Sequence, residues 1–310
     1  MPFLEEILCQ ARGAGASDVH LTVGAPPGMR INGGLVSMGG AQVLPNDTVD
    51  ILIRVMSEAQ REKLEERGEY DCSFSLPGCG RCRLHAYSSG GSMALAIRLV
   101  RETIPTPEKL GLPEEAVGLC LKKRGLVLVA GPSGSGKSTT LAAMVEKINA
   151  SQAAHIVTLE KPVEYLHPHK LSLVNQREIG TDCQDSAGGV AAALRQDPDV
   201  ILVGELQDPE TTEGAVRAAE TGHLVLAGVS AAGAEDVLER LLEAFPSQRQ
   251  RGMRIRLAEV LEAVIFQRLV PAEEGGRKAL FEILYGDPGV RELIRKEKLR
   301  QLSGMKNTNS

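Results

Sequence analysis

The 310-residue chain has no tryptophan, and aromatic residues make up only 3% of it. Too few rings are present to build a platform on which nucleic-acid bases stack. Positive charge is not in excess either: 35 Lys and Arg stand against 40 Asp and Glu, a formal net charge of −5. Phosphate neutralisation needs a concentrated cationic surface, so no nucleic-acid partner is expected. No apolar run approaches the ~18–20 residues that span a bilayer. The opening MPFLEEILCQ lacks the basic and apolar regions of a secretory signal, which predicts a cytoplasmic protein. The six cysteines are scattered, and only Cys79-Gly-Arg-Cys82 has a metal or redox spacing. No second pair completes a four-ligand zinc site, so reduced structural thiols are expected.

What remains is an ordinary globular composition, 43% hydrophobic and 24% charged. At roughly 150 residues per domain the length suggests two domains. Residues 1–100 mix helical periodicity (Phe3, Leu4, Ile7, Leu8, Ala11) with short alternating runs such as Asp18–Val23, Met29–Ile31, Asp71–Leu76, Arg81–Tyr87 and Ala94–Val100. A single helix is expected over Asp47–Glu66, and the whole reads as a small α+β domain. Pro105 and Pro107 punctuate a polar stretch, which predicts a linker at 101–113. In 114–310 the apolar runs Leu126–Ala130, His155–Leu159, Val200–Val203 and Leu224–Ala227 alternate with helical segments at Ser138–Ala150, Gly188–Arg195 and Pro209–Thr221. That alternation predicts an α/β domain whose parallel sheet carries helices on both faces. The polar tail Lys306–Ser310 reads as disordered.

One segment carries specific chemistry. Gly131-Pro132-Ser133-Gly134-Ser135-Gly136-Lys137-Ser138 fits G-x-x-x-x-G-K-[ST], with an apolar strand entering it and the helical run Ser138-Thr139-Thr140-Leu141 leaving it. Its glycines let backbone N–H groups and a helix N-terminus face phosphates. Lys137 is then placed for the β- and γ-phosphates of ATP, and the Ser138 hydroxyl for Mg²⁺. Asp199-Val-Ile-Leu-Val-Gly-Glu205 is an apolar strand that ends in a carboxylate. Carboxyl ends of parallel strands face the ligand edge of such sheets, which makes Glu205 the candidate that polarises an attacking water.

At these residues the chain resembles secretion-type ATPases, and specifically the type IV pilus retraction (twitching motility) ATPases, over nearly its whole length. The blocks that carry the likeness are Gly15–Leu21 with Ala25–Leu35, the phosphate loop, Leu173–Gly180, Ala193–Thr211, Ala218–Gly228 and Gly289–Glu297. The resemblance implies a RecA-like P-loop core behind a smaller PAS-like N-terminal domain, with ATP and Mg²⁺ bound. It implies a homohexameric ring at the inner face of the cytoplasmic membrane that engages a membrane platform protein and, indirectly, pilin. By the same resemblance Arg83 and Arg98 approach the phosphates (Arg81 being a neighbouring possibility), His223 belongs to the nucleotide site, and Glu160 survives as an acidic catalytic residue. Thr139 follows the loop into the site.

Several positions depart from the family pattern. Lys161 stands where an aspartate is expected, Ser230 where a histidine is expected, and Gln207 where an arginine is expected; Ser88–Ser92 replaces a Gln-x-Arg-Gly stretch. These thin the groups around the γ-phosphate and predict a slow ATPase. The alternatives are a nucleotide-binding, poorly hydrolysing assembly or regulatory subunit, or a pilus-assembly or type II secretion ATPase. Bland readings cover the rest: His167 and His169 as loop residues, Arg249, Arg251, Arg254 and Arg256 as a helix surface or subunit contact. Val290–Leu302 reads as a last helix whose cations either complement its dipole or attract anionic lipid.

Overall fold

The computed structural model describes residues 2–100, 103–272, 277–305 and 307–309. The chain divides into two compact units, Met1–Glu102 and Thr103–Ser310. Arg101 and Glu102, the first residues of the expected linker, lie outside the described residues.

The N-terminal unit runs α1 (Pro2–Gly13), β1 (Asp18–Leu21), β2 (Gly28–Ile31), β3 (Gly34–Ser37), α2 (Pro45–Val55), α3 (Glu58–Arg67), β4 (Glu69–Leu76), β5 (Gly80–Ser89) and β6 (Ser92–Leu99). Its antiparallel sheet has the order β3-β2-β1-β6-β5-β4. Alternation on β5 sends Cys82, Leu84 and Ala86 into a core shared with Leu4, Leu8, Ile51 and Leu52 of the helices. The helix expected over Asp47–Glu66 is in fact two. Met56 is extended, and Ser57 caps α3 by a reciprocal pair of bonds: Gln60 N donates to Ser57 Oγ (3.3 Å) and Ser57 N donates to Gln60 Oε1 (2.9 Å). This capping box outweighs the continuous apolar periodicity.

Within the Cys79–Cys82 motif, Cys79 has a thiol neighbour from outside the motif. The Cys79 thiol lies 3.0 Å from that of Cys9 on α1, while Cys82 is buried on β5. Burial and the neighbouring Cys9 push the Cys79 thiol up to about 11. No cluster of three or more His, Cys, Asp or Glu residues placed to hold a metal ion occurs among the described residues.

The second unit runs α4 (Glu114–Val117), β7 (Gly125–Gly131), α5 (Lys137–Ser151), β8 (His155–Glu160), β9 (Leu173–Glu178), α6 (Ser186–Ala193), β10 (Val200–Val203), α7 (Pro209–Glu220), β11 (Leu224–Ser230), α8 (Ala234–Glu243), α9 (Ser247–Val260), β12 (Leu261–Pro271), β13 (Arg277–Tyr285), α10 (Pro288–Arg295) and β14 (Asn307–Asn309). The sheet order is β14-β13-β12-β7-β11-β10-β8-β9, parallel from β12 to β9 and antiparallel across β12-β13-β14. Every residue of β7 is buried, as a strand covered on both faces requires. Leu126, Leu128 and Ala130 pack on the side of α6 to α10, and Val127 and Val129 on the side of α4 and α5. Each fully buried leucine or valine of this kind contributes roughly 1.5–3 kcal/mol.

Two C-terminal expectations are corrected. The helix over Val290–Leu302 stops at Arg295, and Glu297 takes the left-handed region (φ 61°) before a 3₁₀ segment at Leu299–Met305. The tail is not wholly irregular, because Asn307–Asn309 pairs with β13; Lys306 and Ser310 lie outside the described residues. The arginines of α9 do line a helix surface: Arg249 and Arg256 pair with Glu213, Arg256 also with Glu220, and Arg254 with Glu297.

Candidate functional site

Four parallel strands end at the same edge of the larger sheet, and their last residues or the loops beyond them carry the candidate chemistry. Strand β7 ends at Gly131 beside Ser230, the last residue of β11. Strand β10 ends at Val203 just before Gly204 and Glu205, and β8 ends at Glu160.

The loop from Gly131 to Lys137 is shaped by close approaches. A side chain at Gly131 would overlap the Gln267 carbonyl oxygen and the Ser135 hydroxyl, and Gly131 sits at φ 152°. Gly134 and Gly136 adopt φ 76° and 91°, the left-handed region that favours glycine. Gly136 caps α5 without any side-chain hydrogen bond, so the first N–H groups of a 15-residue helix carry no side-chain cap. Such a helix end is receptive to an anion. Lys137 folds back on its own loop, its Nζ donating to Gly131 O (2.9 Å) and Pro132 O (3.2 Å). Burial pulls the Lys137 amine below the ordinary lysine value, and the charges of Glu205 and Glu164 oppose that.

Ser138 Oγ donates to Glu164 Oε1 (3.0 Å), and Thr139 Oγ1 lies 2.8 Å from the Tyr165 hydroxyl. The first turn of α5 is thereby tied to the segment that follows β8. A hydroxyl and a carboxylate that already meet form a donor set suited to Mg²⁺. Glu164, rather than Glu160, is the carboxylate of the acidic turn that reaches the loop. Glu160 is occupied differently, accepting bonds from Thr158 Oγ1 (2.6 Å) and Gln176 Nε2 (3.1 Å). Burial pushes its carboxyl above the usual carboxylate range. Lys161 is exposed.

Glu205 accepts a hydrogen bond at each oxygen: Ser230 Oγ donates to Oε1, and Gln207 Nε2 donates to Oε2 (2.8 Å). Burial acts to raise this carboxyl, but the two donors and the charges of Lys137 and Arg240 outweigh it and hold Glu205 below the usual range. Gly228 lets β11 run against the backbone beyond β10, since a side chain there would overlap Gly204 O; Leu206 N donates to Gly228 O (2.8 Å).

His223 is a correction. It precedes β11 at the opposite edge, where Gly125 N donates to His223 O (3.0 Å). The full length of β7 separates it from the loop, about 20 Å at 3.3 Å per residue. Its Nδ1 lies 2.8 Å from Ala218 O, at the end of α7. His223 therefore cannot touch a nucleotide held by this chain's own loop. Arg83 and Arg98 belong to the N-terminal unit, directly opposite each other on β5 and β6. They pair with Asp71 (3.3 Å) and Asp18 (2.9 Å) on the face away from that unit's core.

Three residues that support the site were not singled out from sequence. Gln267 on β12, 1% exposed, donates through Nε2 to Ser135 O (2.6 Å); its Oε1 and the Ser135 hydroxyl are buried with no partner among the described residues. Gln176 bonds Glu160, Tyr165 O (2.8 Å) and His167 N (2.9 Å). Glu146 on α5 meets His167 Nδ1 (3.0 Å) and Lys170. A glutamine in a strand gives no sequence signal by itself, because its partner lies 132 residues away.

The Glu146–His167 contact gives a testable pH dependence. Burial pushes the His167 imidazole below its ordinary value of 6.5, against the opposing effect of Glu146. For Glu146, burial raises the carboxyl, but bonds from Lys170, His167 and Asn149 dominate and hold it low. Unfolded His167 takes a proton as pH falls through about 6.5 while the folded form resists, so stability drops on acidification. The Glu146 contribution is present above its unfolded value and is lost as pH falls through the folded one. Melting temperature should therefore fall from pH 7.5 to pH 5, and His167→Gln should flatten part of that slope. Parallel slopes for the two proteins would show that His167 carries none of it.

Comparison with known proteins adds whole-chain context. A family model described as type II/IV secretion system protein matches residues 2–306. The type IV pilus retraction ATPase PilT of Pseudomonas aeruginosa is 39% identical over 299 residues, covering 96% of this chain and 87% of its own length. A twitching motility protein of Neisseria gonorrhoeae is 41% identical over 283 residues, covering 91% of this chain and 76% of its own. A crystal structure of the pilus retraction motor PilT with bound ADP matches with a TM-score of 0.91 at 47% identity, covering 96% of this chain and 88% of that one.

Proposed function

The chain belongs to the type II/IV secretion system protein family, in its PilT-type pilus-retraction branch, and from that premise we propose that it is an ATP-hydrolysing motor that powers pilus retraction. The observation that carries the reading is local: Lys137, Ser138, Glu164 and Glu205 gather at one sheet edge around an uncapped helix N-terminus.

In this reading the loop from Gly131 to Gly136 wraps the phosphates with its N–H groups, and Lys137 leaves its own carbonyls to pair with them. Ser138 and Glu164 would hold Mg²⁺, which supplies charge neutralisation on the phosphate oxygens. Glu205 accepts a hydrogen bond from the attacking water and orients it as ATP is split to ADP and phosphate. Ser230 and Gln207 both donate to that carboxylate, which favours a hydrolysing enzyme over the poorly hydrolysing alternative. Glu160 acts from behind, holding the acidic turn through Gln176.

No helix among the described residues is long and apolar enough to cross a membrane. The family membership supports a homohexameric ring, cytoplasmic and peripheral at the inner membrane, that works on a platform protein and through it on pilin; Arg83 and Arg98 then serve as phosphate-facing cations. Purified protein with ATP and Mg²⁺ should release phosphate and run as a hexamer by light scattering. A chelator should abolish phosphate release. Phosphate release no faster than from a buffer blank would reject the hydrolytic reading, and a monomer under the same conditions would reject the ring.

A further inference from the structure

We infer that Ser230 and Gln207 are positioning residues that together aim Glu205, using neutral donors at the two positions where the family pattern has a histidine and an arginine. The inference rests on the hydrolytic reading above and deepens it. Its basis is one carboxylate engaged at both oxygens by donors from two separate elements. Ser230 is the last residue of β11 and donates to Oε1, while Gln207, on the loop after β10, donates to Oε2. Each oxygen keeps a second lone pair, so the clamp fixes the plane of the carboxylate without filling its acceptor capacity. One donor per oxygen also prevents the group from swinging about its last torsion.

The partners matter for charge as well as direction. Glu205 is half-buried, and burial alone favours the protonated acid. The charged groups facing it are Lys137 at the start of α5 and Arg240 on α8. Lys137 is committed to loop carbonyls and would be committed to phosphate when nucleotide binds, so the short-range bonds from Ser230 and Gln207 persist alongside the charge of Arg240. Neither donor titrates in the range where a histidine does. Orientation of Glu205 in this chain is therefore independent of pH across neutrality, although Ser230 stands where an imidazole is expected.

The test combines kinetics with a direct titration. In Ser230→Ala and in Gln207→Ala, kcat at neutral pH should fall roughly 10–100-fold, as for loss of one bond to a charged group. KM for ATP should stay within twofold, because the phosphate contacts come from the loop and Lys137. The acid limb of the kcat profile should move to higher pH in each variant, and further in the double variant. Ser230→Thr, which keeps the hydroxyl, should restore the wild-type profile. Isotope-edited infrared titration reads the same carboxylate without turnover, its band being assigned by loss in Glu205→Gln; the midpoint should rise in both alanine variants. Gln207 is exposed, so its variant should fold even if Ser230→Ala is impaired. Unchanged infrared midpoints and unchanged kcat profiles in folded Gln207→Ala and in the double variant would overturn the clamp. Failure of the wild type to hydrolyse ATP would instead overturn the reading beneath it, and the infrared titration would still decide whether the clamp exists.

Discussion

Glu205→Gln is expected to bind ATP as tightly as wild type while hydrolysing it 10²–10³-fold more slowly. The change removes one formal charge and almost no volume. Ser230 and Gln207 can both turn to satisfy an amide, since a hydroxyl and a carboxamide each donate and accept. The loop, Lys137 and Ser138 are untouched, so phosphate binding persists. What disappears is an anionic acceptor for the proton side of the attacking water. Losses of one preorganised group of this kind amount to about 2.7–4 kcal/mol in the barrier. Separate measurement of nucleotide affinity and single-turnover hydrolysis checks the split. A rate within threefold of wild type would remove Glu205 from the chemistry.

Lys137→Ala should do the converse and weaken ATP binding itself, by about 10–100-fold, with turnover near the buffer rate. The amine donates to Gly131 O and Pro132 O and must exchange those bonds for phosphate oxygens. Bonds between charged partners are worth roughly 1.5–3 kcal/mol, which sets the fold-change. Burial depresses its basicity while Glu205 and Glu164 sustain it, so the lysine depends on the acidic groups around it. Lys137→Arg should not rescue binding, because a planar guanidinium cannot replace a compact ammonium inside the loop. Titration with ATP by calorimetry reads this directly, and wild-type affinity in Lys137→Ala would contradict the assigned role.

The phosphate loop was legible from the sequence because its chemistry is local. Eight consecutive residues supply the glycine conformations, the lysine and the hydroxyl, and the apolar run before them can only be a buried strand. Glu205 was legible for the same reason, as the carboxylate just beyond an apolar run. The split between α2 and α3 was also written locally, in Ser57-Glu-Ala-Gln60, and the longer apolar period over Asp47–Glu66 concealed it. His223 shows the opposite case. It is seven residues from Ser230, close along the chain, yet a strand carries one to the far edge of the sheet from the other.

By itself, then, the sequence determined four of the parallel strands (β7, β8, β10 and β11, but not β9 or β12), where the phosphate-binding turn lies and which family the chain resembles. These depend on residue type within a few positions, where backbone sterics and burial act directly. Only the tertiary structure decided that Glu164 rather than Glu160 meets Ser138, that Gln267 braces Ser135 and that Ser230 and Gln207 hold Glu205 between them. All but the Gln207–Glu205 bond join different strands and loops, and Gln267 lies 132 residues from Ser135. Strand order and register set the distances between them, and a polar side chain takes its partner from whatever that packing brings within about 3 Å.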